Sequence, residues 1–163
     1  MISETERPRA SLNGLGPWTR GIMDRKHILL VDDDLNLLRS LEFILEAADF
    51  RVTTETNGQK ALEKVISTGN GKANSIDLLI TDIQMPGMTG VQLIDELKRL
   101  NITLPFLVIT AYGDQKLKIE LARRGCSHCL DKPFNDEKLL QEVFRVLGVN
   151  IRFDENGMEC GKY

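Results

Sequence analysis

Five polar residues of the 163-residue chain stand at or just past the ends of apolar runs. Asp32 and Asp33 follow residues 28–31, Asp82 follows 76–81, and Thr110 follows 106–109. Lys132, with Pro133 behind it, follows the short run 129–131. In an open parallel α/β sheet, residues at the carboxyl ends of the strands gather in one crevice. Three carboxylates, a hydroxyl and an ammonium in one small site are equipment for holding a divalent cation and moving a phosphoryl group onto a carboxylate. Mg²⁺ suits such a site, because it takes oxygen ligands and keeps several of its waters. A lysine supplies a compact positive charge beside it.

The elements that must position these residues alternate along the chain. After the strand at 28–31 comes a helix with Leu37, Leu41, Ile44 and Ala48 expected on its inner face. A strand near 51–54 precedes a helix whose apolar residues are Ala61, Leu62, Val65 and Ile66. Residues 67–75 are polar and glycine-bearing and read as a loop. The third strand (76–81) and residues 84–88 lead to Thr89 and Gln92, spaced as a capping box. Behind that cap, Val91, Ile94 and Leu97 are the expected buried positions. The fourth strand (about 104–109) is followed by a helix that Asp114 can cap, with a thin stripe of Leu117, Leu121 and Ala122. The fifth strand lies near 128–130. Asn135 then caps a last helix that buries Leu140, Val143, Phe144 and Leu147.

Five strands alternating with five helices predict a doubly wound parallel sheet covered on both faces. The expected organisation is a flexible leader (1–24), one folded domain (25–149) and a tail (150–163). No run approaches the roughly 20 apolar residues of a membrane span, and the leader lacks the apolar core of a signal peptide. The expected setting is therefore the cytoplasm. A net charge of −3 gives no basic field for gripping DNA.

Four motifs in order carry a resemblance. They are Val31-Asp32-Asp33-Asp34, the run from Thr81-Asp82 to Thr89-Gly90, Ile109-Thr110-Ala111-Tyr112-Gly113-Asp114, and Asp131-Lys132-Pro133-Phe134. From about residue 27 to 148 the chain resembles the response-regulator receiver domain of two-component signalling. Around Asp82 and Thr110 it is similar to receivers that precede sigma54-type, ATPase-driven transcription activators, and the expectation is a receiver without such an ATPase. The resemblance implies a flavodoxin-like sheet of strand order 2-1-3-4-5. It implies Asp82 as phosphoacceptor, and Mg²⁺ held by Asp32, Asp33, Asp82 and the main-chain carbonyl of Gln84. Thr110 and Lys132 would contact the phosphoryl oxygens, and Pro133 would shape its loop through a cis bond. Ala111 and Tyr112 belong to the loop that follows the threonine inward. Cys129 takes the switch position, three residues before the lysine, where the family usually has Tyr or Phe.

The implied protein is a stand-alone receiver rather than an enzyme. Its phosphoryl donor would be a sensor histidine kinase or a histidine phosphotransfer protein, and it would signal to a downstream protein through contacts. A phosphorylation-dependent dimer stays open. Two other classes compete. One is a phosphorylation-independent scaffold. The other is a phosphatase of the haloacid dehalogenase type, which Asp32-x-Asp34, Thr110 and Lys132 imitate but which leaves Asp82 without a role. Ordinary readings also stand beside these. Asp32 to Asp34 could be an acidic helix start, and Met85, Met88, Gly87 and Gly90 packing and turn residues. Cys126-Ser127-His128-Cys129 has the spacing of a metal or redox pair, against ordinary buried or edge cysteines.

Overall fold

The computed structural model describes residues 25–69, 75–111, 115–126 and 128–149, and the backbone of 151–154 and 157–160. Five parallel strands form the main sheet: β1 (His27–Val31), β2 (Arg51–Glu55), β3 (Leu78–Asp82), β4 (Phe106–Thr110) and β5 (Cys129–Asp131). Their spatial order is β2-β1-β3-β4-β5, the predicted one. Helices α1 (Leu35–Ala47), α2 (Gly58–Thr68), α3 (Gly90–Arg99), α4 (Gln115–Arg123) and α5 (Asp136–Val146) connect and follow them. β3 and β4 each run to the predicted polar residue itself, and β5 starts one residue later than expected. Two further strands, β6 (Ile151–Asp154) and β7 (Gly157–Cys160), pair antiparallel within the segment expected to be a tail.

The strands are apolar because both faces of the sheet are covered. Every residue of β1 and β3 is buried. Ile28, Leu30, Leu78, Ile80, Leu107 and Ile109 pack against α1 and α5, and Phe50 meets Phe144 with ring centroids 5.4 Å apart. Leu29, Val31 and Leu79 face α2 and α3. Val108 joins Ile94 and Leu121 under α3 and α4. Each such aliphatic side chain contributes about 1.5–3 kcal/mol on burial.

The buried faces of α1, α2, α3 and α4 differ in detail from the apolar positions that the sequence offers. On α1 the buried line is Leu38, Leu41 and Leu45, continued by Ala48 at its end; Leu41 and Ala48 are buried as expected, while Leu37 and Ile44 are only half-buried at the margins. On α2, Ile66 points to solvent, 51 % exposed, because Ala61, Leu62 and Val65 already fill the contact with the sheet. On α4 the stripe is thinner than expected: Leu121 is buried, Leu117 half-buried and Ala122 exposed. On α3, Leu93 joins Ile94 and Leu97 in the core while Val91 is half-buried.

The caps come out as their residue types dictate. Thr89 and Gln92 form the reciprocal capping box, and Asn135 accepts from the Lys138 N–H with Asp136 and Glu137 in the first turn. Asn57 caps α2 in the same way. The expected cap at Asp114 lies outside the described residues.

Candidate phosphoacceptor pocket

Val31 pairs with Thr81 across β1 and β3, so Asp32 and Asp82 leave the sheet side by side. This is where the strand order reverses, the point at which open α/β sheets hold ligands. Asp32, Asp33 and Asp82 each offer a carboxylate oxygen within 4.8 Å of the others. Asp32 is buried and Asp33 exposed. One oxygen of Asp32 accepts the Asp34 N–H at 2.9 Å, which fixes the carboxylate at the head of α1. Asp34 itself is the N-cap, accepting from the Asn36 and Leu37 N–H groups.

Lys132 reaches the same point from the far side of the sheet. Its N–H donates to the Thr110 carbonyl at 2.7 Å, extending the β4–β5 ladder by one step and setting Lys132 beside Thr110. Its Nζ donates to Asp32 Oδ2 at 3.2 Å and lies 3.7 Å from Asp82 Oδ1. The Lys132–Pro133 bond is cis, as expected. Thr110 is buried at the end of β4, one register step past the Asp82–Ile109 pair. Ala111 is exposed next to it, while Tyr112 lies outside the described residues.

Burial pushes the Asp82 carboxyl above the ordinary aspartate range; Lys132 pulls it back, and Asp32 and Asp33 raise it again. The outcome is a carboxylate more basic than usual in a crowd of negative charge. That is the donor set a small, hard cation relieves: three carboxylates of which one is exposed, opposite a single ammonium.

The loop after β3 is pinned from below. Ile83 and Met85 are buried while Gln84 is exposed, and the Gly90 N–H donates to the Ile83 carbonyl at 3.1 Å. Gly87 has φ +76°, a turn position that favours glycine. Gly90, expected from sequence as a second turn glycine, serves close approach instead. A Cβ there would sit 2.1 Å from the Asp82 carbonyl oxygen, so α3 starts directly beneath the pocket and only glycine fits. A glycine straight after a threonine cap has no need of a positive φ, which leaves close approach as its reason.

Cys129, at the expected switch position, is half-buried, with its Sγ 3.6 Å from the Cys126 Sγ. Sequence reasoning missed two charge contacts nearby. Lys118 of α4 pairs with Asp131 at 2.7 Å. Glu142 is buried on α5 among Lys138, Arg145 and His128.

A doubly wound sheet with an acidic pocket at its switch point and a lysine across from it defines a class of phosphoryl-handling signalling folds. Comparison with known proteins makes it specific: the chain belongs to the response regulator receiver domain family, whose family model matches residues 28–144. Among curated relatives, the transcriptional regulatory protein FixJ of Bradyrhizobium diazoefficiens is 33% identical over 113 residues, 69% of this chain and 52% of that protein. A CpxR homolog of Haemophilus influenzae is 35% identical over 123 residues, 74% of this chain and 49% of that protein. The chain thus spans about half the length of these relatives. Among solved structures, Vibrio cholerae chemotaxis protein CheY4 superposes with a TM-score of 0.67 at 29% identity, covering 74% of this chain and 98% of that one. Phosphotransfer to an aspartate is the general function of the family, and its members are signalling domains that bind Mg²⁺ in an acidic pocket. Among the described residues, no helix is long and apolar enough to cross a membrane.

Proposed function

We propose that this chain takes a phosphoryl group from a phosphohistidine, on a sensor histidine kinase or a histidine phosphotransfer protein, onto Asp82, and signals through protein contacts. The observation that carries this is the convergence of Lys132 on both Asp32 and Asp82 at the switch point of the sheet. An Asp82 carboxylate oxygen attacks phosphorus as the phosphorus–nitrogen bond of the donor breaks, and the electron pair leaves with the imidazole. Burial and its acidic neighbours make Asp82 the more basic nucleophile. Lys132 supplies positive charge to the transferred oxygens, and the Thr110 hydroxyl donates a hydrogen bond to one of them. Charge stabilisation and in-line positioning carry most of such a transfer. Mg²⁺, held by the carboxylates of Asp32, Asp33 and Asp82 and the main-chain carbonyl of Gln84, would supply charge neutralisation when bound.

Two observations weigh against the competing classes. Asp34 is committed to the α1 cap, so it is not free to act as the second acid of a dehalogenase-type site. The pocket also retains every group that phosphoryl acceptance needs, which a bare scaffold would not require.

The test is the intact mass of the wild type and of Asp82→Ala after incubation with acetyl phosphate and Mg²⁺. One added phosphoryl group on the wild type alone is expected. If the wild type gains none, either from acetyl phosphate or from a phosphorylated histidine phosphotransfer protein, the scaffold reading takes its place.

A further inference from the structure

Cys126 and Cys129 lie outside the phosphoryl pocket, and nothing in phosphoryl acceptance uses them. Cys126 follows α4, with its N–H donating to the Leu121 carbonyl at 2.9 Å, and is buried with Ile94, Val108 and Leu121. Cys129 opens β5, where its Cα pairs with that of Val108. The two sulfurs are in contact at 3.6 Å, and the Cys126 S–H also reaches the His128 carbonyl at 3.1 Å. Only Cys129 is accessible: it lines a shallow cleft with Asp131, Pro133, Asn135 and Lys138.

The pair is also chemically unequal. Contact with the Cys126 thiol favours the charged form of Cys129, with Lys118 adding positive charge, against the opposing effects of burial, Asp131 and Glu142. The Cys129 thiol is held below the usual cysteine range, whereas Cys126 is pushed far above it. A half-buried thiol of lowered pKa beside a buried partner of raised pKa is the arrangement of an attacking and a resolving cysteine.

We propose that Cys126 and Cys129 form a reversible thiol–disulfide site, in which Cys129 reacts with a hydroperoxide and Cys126 closes the bond. The Cys129 thiolate attacks one peroxide oxygen as the oxygen–oxygen bond breaks. This gives a sulfenic acid on Cys129 and, with one proton taken up, water. The Cys126 sulfur then attacks the Cys129 sulfur and displaces hydroxide, which leaves as a second water with the Cys126 proton. Two thiols and one hydrogen peroxide become one disulfide and two waters; a dithiol reductant reverses it. Closure fastens the turn after α4 to the first residue of β5, beside the Lys118–Asp131 ion pair that links the same two elements.

The experiment uses the full chain carrying Cys160→Ser, so that only this pair reports. After hydrogen peroxide, the intact mass is expected to fall by two hydrogens and both alkylatable thiols to disappear, each restored by dithiothreitol. Trypsin places both cysteines in one peptide, 125–138, because Lys132 precedes a proline. The wild-type peptide therefore maps the bond even where Cys126→Ser or Cys129→Ser fails to fold. Asp82→Ala is expected to oxidise like its parent, which keeps this outcome separate from that of phosphoryl acceptance. Gain of oxygen mass on Cys129 without the bond, disulfide-linked dimers in its place, or two thiols that remain alkylatable would each overturn the proposal.

Discussion

Gly90 shows how one missing side chain sets a site. Its Cα lies so close to the Asp82 carbonyl that any Cβ would enter the oxygen's van der Waals sphere, and the obstacle is backbone, which does not rotate away. Gly90→Ala is expected to lose about 1–3 kcal/mol, the usual cost of forcing added atoms into a packed site. It should also slow phosphoryl uptake, because relief of the clash moves Asp82. Urea unfolding beside acetyl phosphate labelling would check both, and an alanine variant of unchanged stability would refute the close approach. Glu142 is the other residue whose environment decides its behaviour. Burial pushes its carboxyl up, but Lys138, His128 and Arg145 outweigh that and hold it below the ordinary glutamate range. A depressed folded-state pKa adds stability that is present above the unfolded value, about 4.3, and is lost as pH falls through the folded value. Glu142→Gln should therefore be less stable than the wild type at pH 7, and the difference should shrink toward pH 3. A gap that stayed constant across urea unfolding at both pH values would point to packing rather than charge.

At the scale of the element, the helices divide into residues that hold the sheet and residues that only resemble them. Leu45 is fully buried between α1 and the sheet, whereas Ile66 projects from α2 into solvent. Leu45→Ala is expected to cost about 2–5 kcal/mol. Ile66→Ala should stay within about 0.5 kcal/mol, although both replace a large apolar side chain with the same small one. Equal losses on thermal unfolding would mean that the α2 face is misassigned. The pair also marks where sequence patterning stops being informative. The ends of β3 and β4 were legible because each polar residue interrupts an apolar run at the point where the chain leaves the sheet, whereas the strand order rested on the family resemblance. Asp32, Asp82, Thr110 and Lys132 could be brought together on that pattern before any coordinates. Helix faces were legible only to within a rotation. Leu37, Leu38, Ile44 and Leu45 all satisfy helical spacing, and the crossing of α1 over β1 and β2 chooses among them. The pairing of Lys118 with Asp131 and the contact of His128 with Glu142 join residues 13 and 14 apart, so local pattern carries no trace of them, unlike the helical neighbours Lys138 and Arg145 of Glu142.

The whole molecule is the unit that a cation would stabilise, because no single segment contains the pocket. Asp32 and Asp33 follow β1, Asp82 ends β3 and Lys132 follows β5, so the carboxylates converge only in the folded sheet. An ion that binds the native state and not the unfolded chain adds RT ln(1 + [L]/Kd), about 2.7 kcal/mol at a hundredfold excess over Kd. In a domain of this size that raises the Tm by several degrees. Unfolding scans in EDTA and in Mg²⁺, matched for ionic strength with sodium chloride, should show that rise in the wild type. The decisive comparison is Asp33→Asn, because Asp33 is exposed and its amide empties no core. Asp32→Asn would be ambiguous, since Asp32 also accepts from Asp34 and Lys132. Asp33→Asn should unfold near the wild-type temperature in EDTA but lose most of the Mg²⁺-dependent increase. If it kept the full increase, Mg²⁺ would be acting elsewhere on the surface, and the three carboxylates would lose their assignment as the metal's cradle.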